Sequence, residues 1–288
     1  MRPIRQLGLW VLIMGLSGCA TGQMVARMAS SLVEGQTRAI YEESDLELAE
    51  RALPAGLKMM EGMAHQDPGN RTLLLTLAEG FCNYAFGFVE DTDPERAAGL
   101  YLRGRDYAVR ALAQAGGPED LTALGLEDFR KTVASLKAPQ MPALYWTGRC
   151  WAGWLMLSLD DLEALAAISK LEIAMNRVLA WDETFDEAGP HLFFGSFYGG
   201  RSRMLGGNPD KARKHFERAL ELTGKKFLIP YLLYARLVAV QTQDKALFER
   251  LLQTLLEAPP DALPSRRLAN EIARRKARRL LEDANDYF

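Results

Sequence analysis

The sequence predicts an all-α protein, a stack of about four helical hairpins with additional helices at both ends. Three observations point there. Apolar residues recur at helical intervals from residue 44 onward. No sustained apolar/polar alternation marks a strand. Small and aromatic residues also return together at similar offsets along the chain, the mark of a repeated two-helix unit.

The chain has 288 residues, with 35 basic against 37 acidic side chains and a formal charge of −2. That length is enough to bury a large core. The near-balance of charge argues against nucleic acid as a partner.

The elements follow in order. Arg2 and Arg5 precede an apolar run from Leu7 to Leu16, which is too short to span a bilayer permanently. Leu16-Ser17-Gly18-Cys19 then resembles a bacterial lipobox. Residues 1–18 are read as a lipoprotein signal peptide and Cys19 as the lipidated residue, the anchor to the membrane. Aspartate after the cysteine is associated with retention at the inner membrane; Ala20 points to the outer membrane. Residues 19–43 form a tether or a loosely docked first helix, and residues 44–288 a helical domain.

Ser44-Asp45 is expected to start that domain's first helix, with Ser44 and Glu47 forming a capping box, and Pro54 to kink it. Asp67-Pro68-Gly69-Asn70 breaks the chain, and Asn70 caps the next helix. Glu90-Asp91-Thr92-Asp93 is a capped turn before Pro94, lacking the glycine and distal glutamate of a calcium loop. The closing helix, from about Leu263 to Asp283, packs through Leu268, Ile272, Ala273, Ala277, Leu280 and Leu281. Its run Arg274-Arg275-Lys276-Ala277-Arg278-Arg279 is expected to be a solvated face.

Within this frame Phe194, Gly195 and Tyr198 have the large-small-aromatic form of one repeat helix. Ala212, Phe216 and Ala219 have the small-aromatic-small form of its mate. These are the halves of a tetratricopeptide-type repeat. Leu77-Ala78 with Phe81, Gly148 with Trp151, and Tyr234-Ala235 with Val238 head the other hairpins. The interval from Ala235 to Leu247 is that of a standard unit, whereas Ala78 to Ala97 and Gly195 to Ala212 are longer, so the units are degenerate. Such a stack offers a concave or tunnelled surface. Cys82 and Cys150 fall inside apolar helical patterns and read more readily as buried thiols than as a disulfide.

The lipobox, the degenerate repeats and the C-terminal half together resemble the T component of tripartite ATP-independent periplasmic (TRAP) transporter systems, which are tetratricopeptide-like lipoproteins. The resemblance covers about Leu32 to Phe288. It is carried by Asp67-Pro68-Gly69-Asn70 before Leu73-Leu74-Leu75, by Tyr84-Ala85-Phe86 and by Gly206-Gly207 before the Ala212 helix. Tyr234-Ala235-Arg236 and the closing Leu268-Ala269-Asn270 helix complete it. It implies a homotrimer, association with a periplasmic solute-binding protein, and a pore or cavity through each protomer suited to a partly apolar solute.

Nothing in the residues points to catalysis, and no cofactor is expected. His65, His191 and His215 are scattered, without zinc-site spacing. Phe194 stands where a nucleophile elbow needs its first glycine. No glycine pair is followed by Lys-Ser/Thr, so there is no phosphate loop.

Aromatic clusters remain as candidate ligand-binding residues: Tyr145, Trp146, Trp151 and Trp154 with Arg149, then Phe194, Phe197 and Tyr198. They supply apolar area, and Arg149, Arg201 or Arg203 a cation for a carboxylate. The expected function is a non-enzymatic periplasmic lipoprotein that binds a partner and a small, partly apolar solute. The alternative is a scaffold for cell-envelope assembly with no small ligand.

Overall fold

Helix caps set the element boundaries. In the structure, a computed structural model that describes residues 33–288, α1 (Leu46–Gln66) begins after Asp45, whose carboxylate accepts the N–H groups of Glu47 and Leu48 at 2.9 and 3.1 Å. The cap is therefore one residue later than the Ser44 box, because aspartate reaches two N–H groups at once. The helix continues through Pro54 as a single element. Asn70 caps α2 (Arg71–Tyr84) by accepting from Leu73 N–H at 3.1 Å. Asp93 caps α3 (Pro94–Gln114), with Pro94 in the first turn, where its missing N–H costs nothing. The acidic turn is thus a helix start, as its spacing suggests.

Next come α4 (Leu126–Ser135), α5 (Met141–Leu157) and α6 (Leu162–Trp181), the last capped by Asp161. Then follow α7 (Phe185–Gly199), α8 (Pro209–Leu222) and α9 (Ile229–Tyr234). The chain closes with α10 (Lys245–Glu257), α11 (Arg267–Glu282) and the short α12 (Ala284–Tyr287). No strand occurs among the described residues, and the fold is all-α. The leader and Cys19 lie outside the described residues; residues 33–39 are helical. Ile40 to Phe288 form one compact unit.

Most helices pack on a neighbour in sequence, but α3 packs most extensively on α5, and α4 lies against α6. α2 packs on α3, α5 on α6, α7 on α8, α8 on α9, and α10 on both α9 and α11. Ala212, Phe216 and Ala219 are fully buried in the α8 interface. The α7–α8 contact depends on Gly195, because a Cβ there would come within 2.6 Å of the Phe216 ring. The last long helix packs on the first: α11 returns to α1, where Leu268 and Ile272 cluster with Ala49, Leu46 and Leu53.

That return corrects the expectation of a solvated basic face. Arg274 and Lys276 are each only 6% exposed. The Arg274 guanidinium donates to the carbonyls of Leu256, Ala258 and Pro259 (3.2, 2.9 and 3.0 Å), satisfying groups left open where α10 ends. Lys276 donates to Asp91 at 2.7 Å. Arg278 and Arg279 remain exposed.

The two cysteines, read as buried thiols, are instead bonded to each other. The Cys82–Cys150 disulfide joins α2 to α5 with a Cα–Cα distance of 5.5 Å. Both residues are buried, as apolar patterning suggests; their partnership is a long-range fact that the local pattern does not carry.

Candidate functional site

Five elements surround a cavity of about 170 Å³. Beyond α2 the helix widens into a π turn at Ala85–Val89, closed by Glu90 N–H on Ala85 O at 2.9 Å. The wide turn carries Phe86 to the cavity wall, with Glu90 just after it. Beyond α9 a second π turn, Ala235–Ala239, brings Arg236 and Leu237 to the wall beside Leu233. α3 contributes Tyr101. On α5, Arg149, Ala152, Gly153 and Met156 recur at helical intervals and form one face. On α7, Leu192, Phe193, Ser196 and Phe197 do the same, with the Phe193 and Phe197 rings stacked at 5.0 Å.

Of the eight candidate ligand residues, Arg149 and Phe197 line this cavity. The other six lie elsewhere, and helical geometry explains why. Phe194 and Tyr198 stack on each other at 5.8 Å and share a face turned towards His215, with Tyr198 donating to Glu172 at 2.7 Å. Phe193 and Phe197 hold the cavity face, one residue step away. On α5, Trp151 is buried against Phe129, and Trp154 is buried in the core. Tyr145 is fully buried, edge-on to Trp146 and Phe185, and donates to Asp186 at 2.6 Å. Trp146 stands behind Arg149, whose guanidinium is 5.9 Å from its ring. Arg201 does not enter the cavity: it is 2% exposed and donates to the carbonyls of Phe197 and Leu205 at 2.7 and 2.8 Å. Arg203 is exposed.

The charges at the wall are unequally satisfied. Glu90 accepts from the buried Tyr101 hydroxyl at 2.7 Å and pairs with Lys276 at 3.3 Å and Arg236 at 3.4 Å. Burial, with the Glu90 charge second, pushes the Tyr101 hydroxyl well above the usual phenol range. Arg149 differs. Its buried Nε has no hydrogen-bond partner, and among the described residues its guanidinium forms no ion pair. Desolvation works against its charge, but Tyr145, Asp186, Tyr101 and Glu79 more than offset this, and its pKa is raised. It is a cation with unspent donors on an otherwise largely apolar wall.

Behind Arg149 lies an acidic cluster. Arg266 pairs with Asp186 at 3.1 Å, Glu187 at 3.4 Å and Glu79 at 3.8 Å, and Tyr41 donates to Glu79. Burial, then the charge of Asp186, pushes the Glu79 carboxyl up to about 8. Asp186, Glu187 and Ala188 all adopt left-handed backbone, with φ of 50°, 54° and 60°. This is costly for side-chain-bearing residues and is held here by the Arg266 and Tyr145 contacts. No group of three or more His, Cys, Asp or Glu among the described residues is arranged to hold a metal ion.

The profile of the TRAP transporter T-component family matches residues 42–288, most of the chain. The chain belongs to that family. An uncharacterized protein of Treponema pallidum (strain Nichols) is 26% identical over 273 residues, which cover 88% of this chain and 83% of the relative. Membership gives the T-component a role in TRAP transport. The aromatic run held a legible pointer to its cavity, since Phe193 and Phe197 are four residues apart on one helix. Phe86, Glu90 and Arg236 stood in legible stretches that pointed to the family or to a helix start and not to a cavity, and Leu233 carried no signal.

Proposed function

We propose that this T-component is a non-enzymatic, periplasm-facing lipoprotein. It is anchored through Cys19, at the outer membrane, by the sequence features of its leader. It associates with the solute-binding protein of a TRAP transporter as a homotrimer and builds its helices as degenerate tetratricopeptide-type hairpins. In each protomer a small, partly apolar solute occupies the cavity between α2, α3, α5, α7 and α9. The Phe193, Phe197 and Phe86 rings supply contact area, and Arg149 receives an anionic group.

One observation supports this reading above the others: Arg149 keeps its hydrogen-bonding capacity unused at the cavity wall. Arg149 is half-buried, and its Nε, buried without an acceptor, is costly to leave so; a carboxylate would satisfy the guanidinium with two parallel hydrogen bonds. Calorimetric titration with octanoate, octanol and octylamine tests it. Octanoate should bind most tightly, and Arg149→Gln should weaken it by about ten- to a hundredfold, the worth of a charge-assisted hydrogen bond. Equal binding of octanoate and octylamine, or none of either, would refute the anionic-solute reading. Affinity capture from envelope extract tests the partner. Recovery of envelope-assembly factors in place of a solute-binding protein would return the scaffold alternative.

A further inference from the structure

The apolar chamber has a charged neighbour. A cleft of about 250 Å³ lies beside it, lined by Asp91, Lys276, Arg279 and Asp283 together with Leu280 and Tyr287. Glu90 and Arg236 line both spaces. They face each other at 3.4 Å, so their ion pair is a shared wall.

The two members are held differently. Glu90 is 10% exposed and is fixed by Tyr101 and Lys276 as well as by Arg236. Arg236 is 41% exposed and reaches only Glu90 at 3.4 Å and Asp91 at 3.9 Å. One side is a post and the other a leaf. Swinging Arg236 away leaves it in a cleft already lined by carboxylates and open to water, so its charge is not stranded in the apolar chamber.

The backbone beneath the pair is also unusual. The two π turns among the described residues are Ala85–Val89 and Ala235–Ala239. One ends immediately before Glu90 and the other contains Arg236. Such turns hold one residue more than the α register, and they recur at functional positions. Both occur where chamber meets cleft.

We propose that the Glu90–Arg236 ion pair is a gate between the apolar chamber and the charged cleft, so that solute enters or leaves through the cleft when Arg236 swings aside. This rests on the chamber being a solute site. The barrier itself can be measured without any solute.

The test places a thiol in the chamber of the full chain by Ser196→Cys, with Cys19→Ser so that the introduced thiol alone reacts while Cys82 and Cys150 stay bonded. The readout is its rate of modification by a neutral methanethiosulfonate, whose approach does not depend on the charge that the substitution removes. Arg236→Gln should raise that rate about two- to fivefold, the range expected of a partly exposed pair. Arg236→Lys should keep it within about twofold of the parent, since the charge remains. Raising the salt to about 0.5 M should speed the parent and not the Gln variant. Met156→Cys provides a second thiol on the same chamber if the first variant does not fold. Equal rates in parent and Arg236→Gln overturn the gate, whether or not octanoate binds. Failure of octanoate to bind, with the rate difference intact, removes the solute reading and leaves the barrier standing.

Discussion

Breaking the Cys82–Cys150 bridge should cost this protein several kcal/mol of stability. The bridge closes a loop with a sequence separation of 68 residues. In the chain-entropy treatment a loop of that length restricts the unfolded ensemble by about 4.4 kcal/mol at 25 °C. For a domain of this size that corresponds to a fall in Tm of roughly 10 °C. Packing adds a second contribution. A Cβ on Gly104 would lie 2.9 Å from the Cys82 sulfur and 3.0 Å from the Cys150 sulfur, so α3 rests directly on the bridge. Removing both sulfurs leaves a void beneath it. The assay is thermal unfolding of the parent, the parent with reductant, and Cys82→Ala/Cys150→Ala, each with and without Gly104→Ala. The added methyl should destabilise the bridged protein, where it meets both sulfurs and the Ala78 carbonyl oxygen, 3.0 Å away; in the alanine pair the sulfur collisions are relieved and the carbonyl contact remains, so the penalty should shrink without vanishing. A double-alanine variant with a Tm within about a degree of the parent, in oxidising buffer, would show that the bridge contributes nothing and would refute the reasoning.

Three further outcomes are expected. Ala212→Arg should destabilise by several kcal/mol on the scale of a buried unpaired charge, because Ala212 is fully buried in the α8 interface; unchanged urea unfolding would contradict this. Trp154→Ala should cost about 3–5 kcal/mol and leave octanoate binding by the folded fraction unaltered, since Trp154 is buried away from the cavity wall; a binding defect without a stability loss would place it at the ligand. Glu79, held near 8 against an ordinary 4.5, keeps a proton in the native state that the unfolded chain has released. Its contribution is therefore most favourable below about pH 4.5 and is lost as pH rises towards 8. Glu79→Gln should flatten that decline, and stability profiles that run parallel from pH 5 to 8 would exclude it.

What the sequence made legible was local. Asn70 and Asp93 cap their helices through contacts three residues away, and the buried series Ala212, Phe216 and Ala219 follows from helical periodicity. What it concealed was every decision made between distant segments. Arg274 looks solvated in a basic run, yet its acceptors are carbonyls fifteen or more residues earlier, at the end of α10. Cys82 and Cys150 have the surroundings of ordinary core residues, and only the packing of α2 on α5 brings them together. The site divides in the same way. Arg149 and Phe197 stood in visible aromatic clusters, but which face of each helix turned inward was set by the neighbours. The π turns that deliver Phe86 and Arg236 begin within Tyr84-Ala85-Phe86 and Tyr234-Ala235-Arg236, stretches legible as family motifs but not as a widened helical register.

The return of α11 to α1 changes how the molecule should come apart. In an open solenoid each unit answers only to its neighbours, and the end can fray while the middle persists. Here Leu268 and Ile272 complete a cluster begun by Ala49, and Lys276 neutralises Asp91 beyond the first π turn. The last long helix is therefore a keystone and not a cap. Deleting the chain after Ala262 would unseat the first helices as well as the last. Hydrogen exchange in the intact protein would then show the two ends of the sequence opening as one cooperative unit.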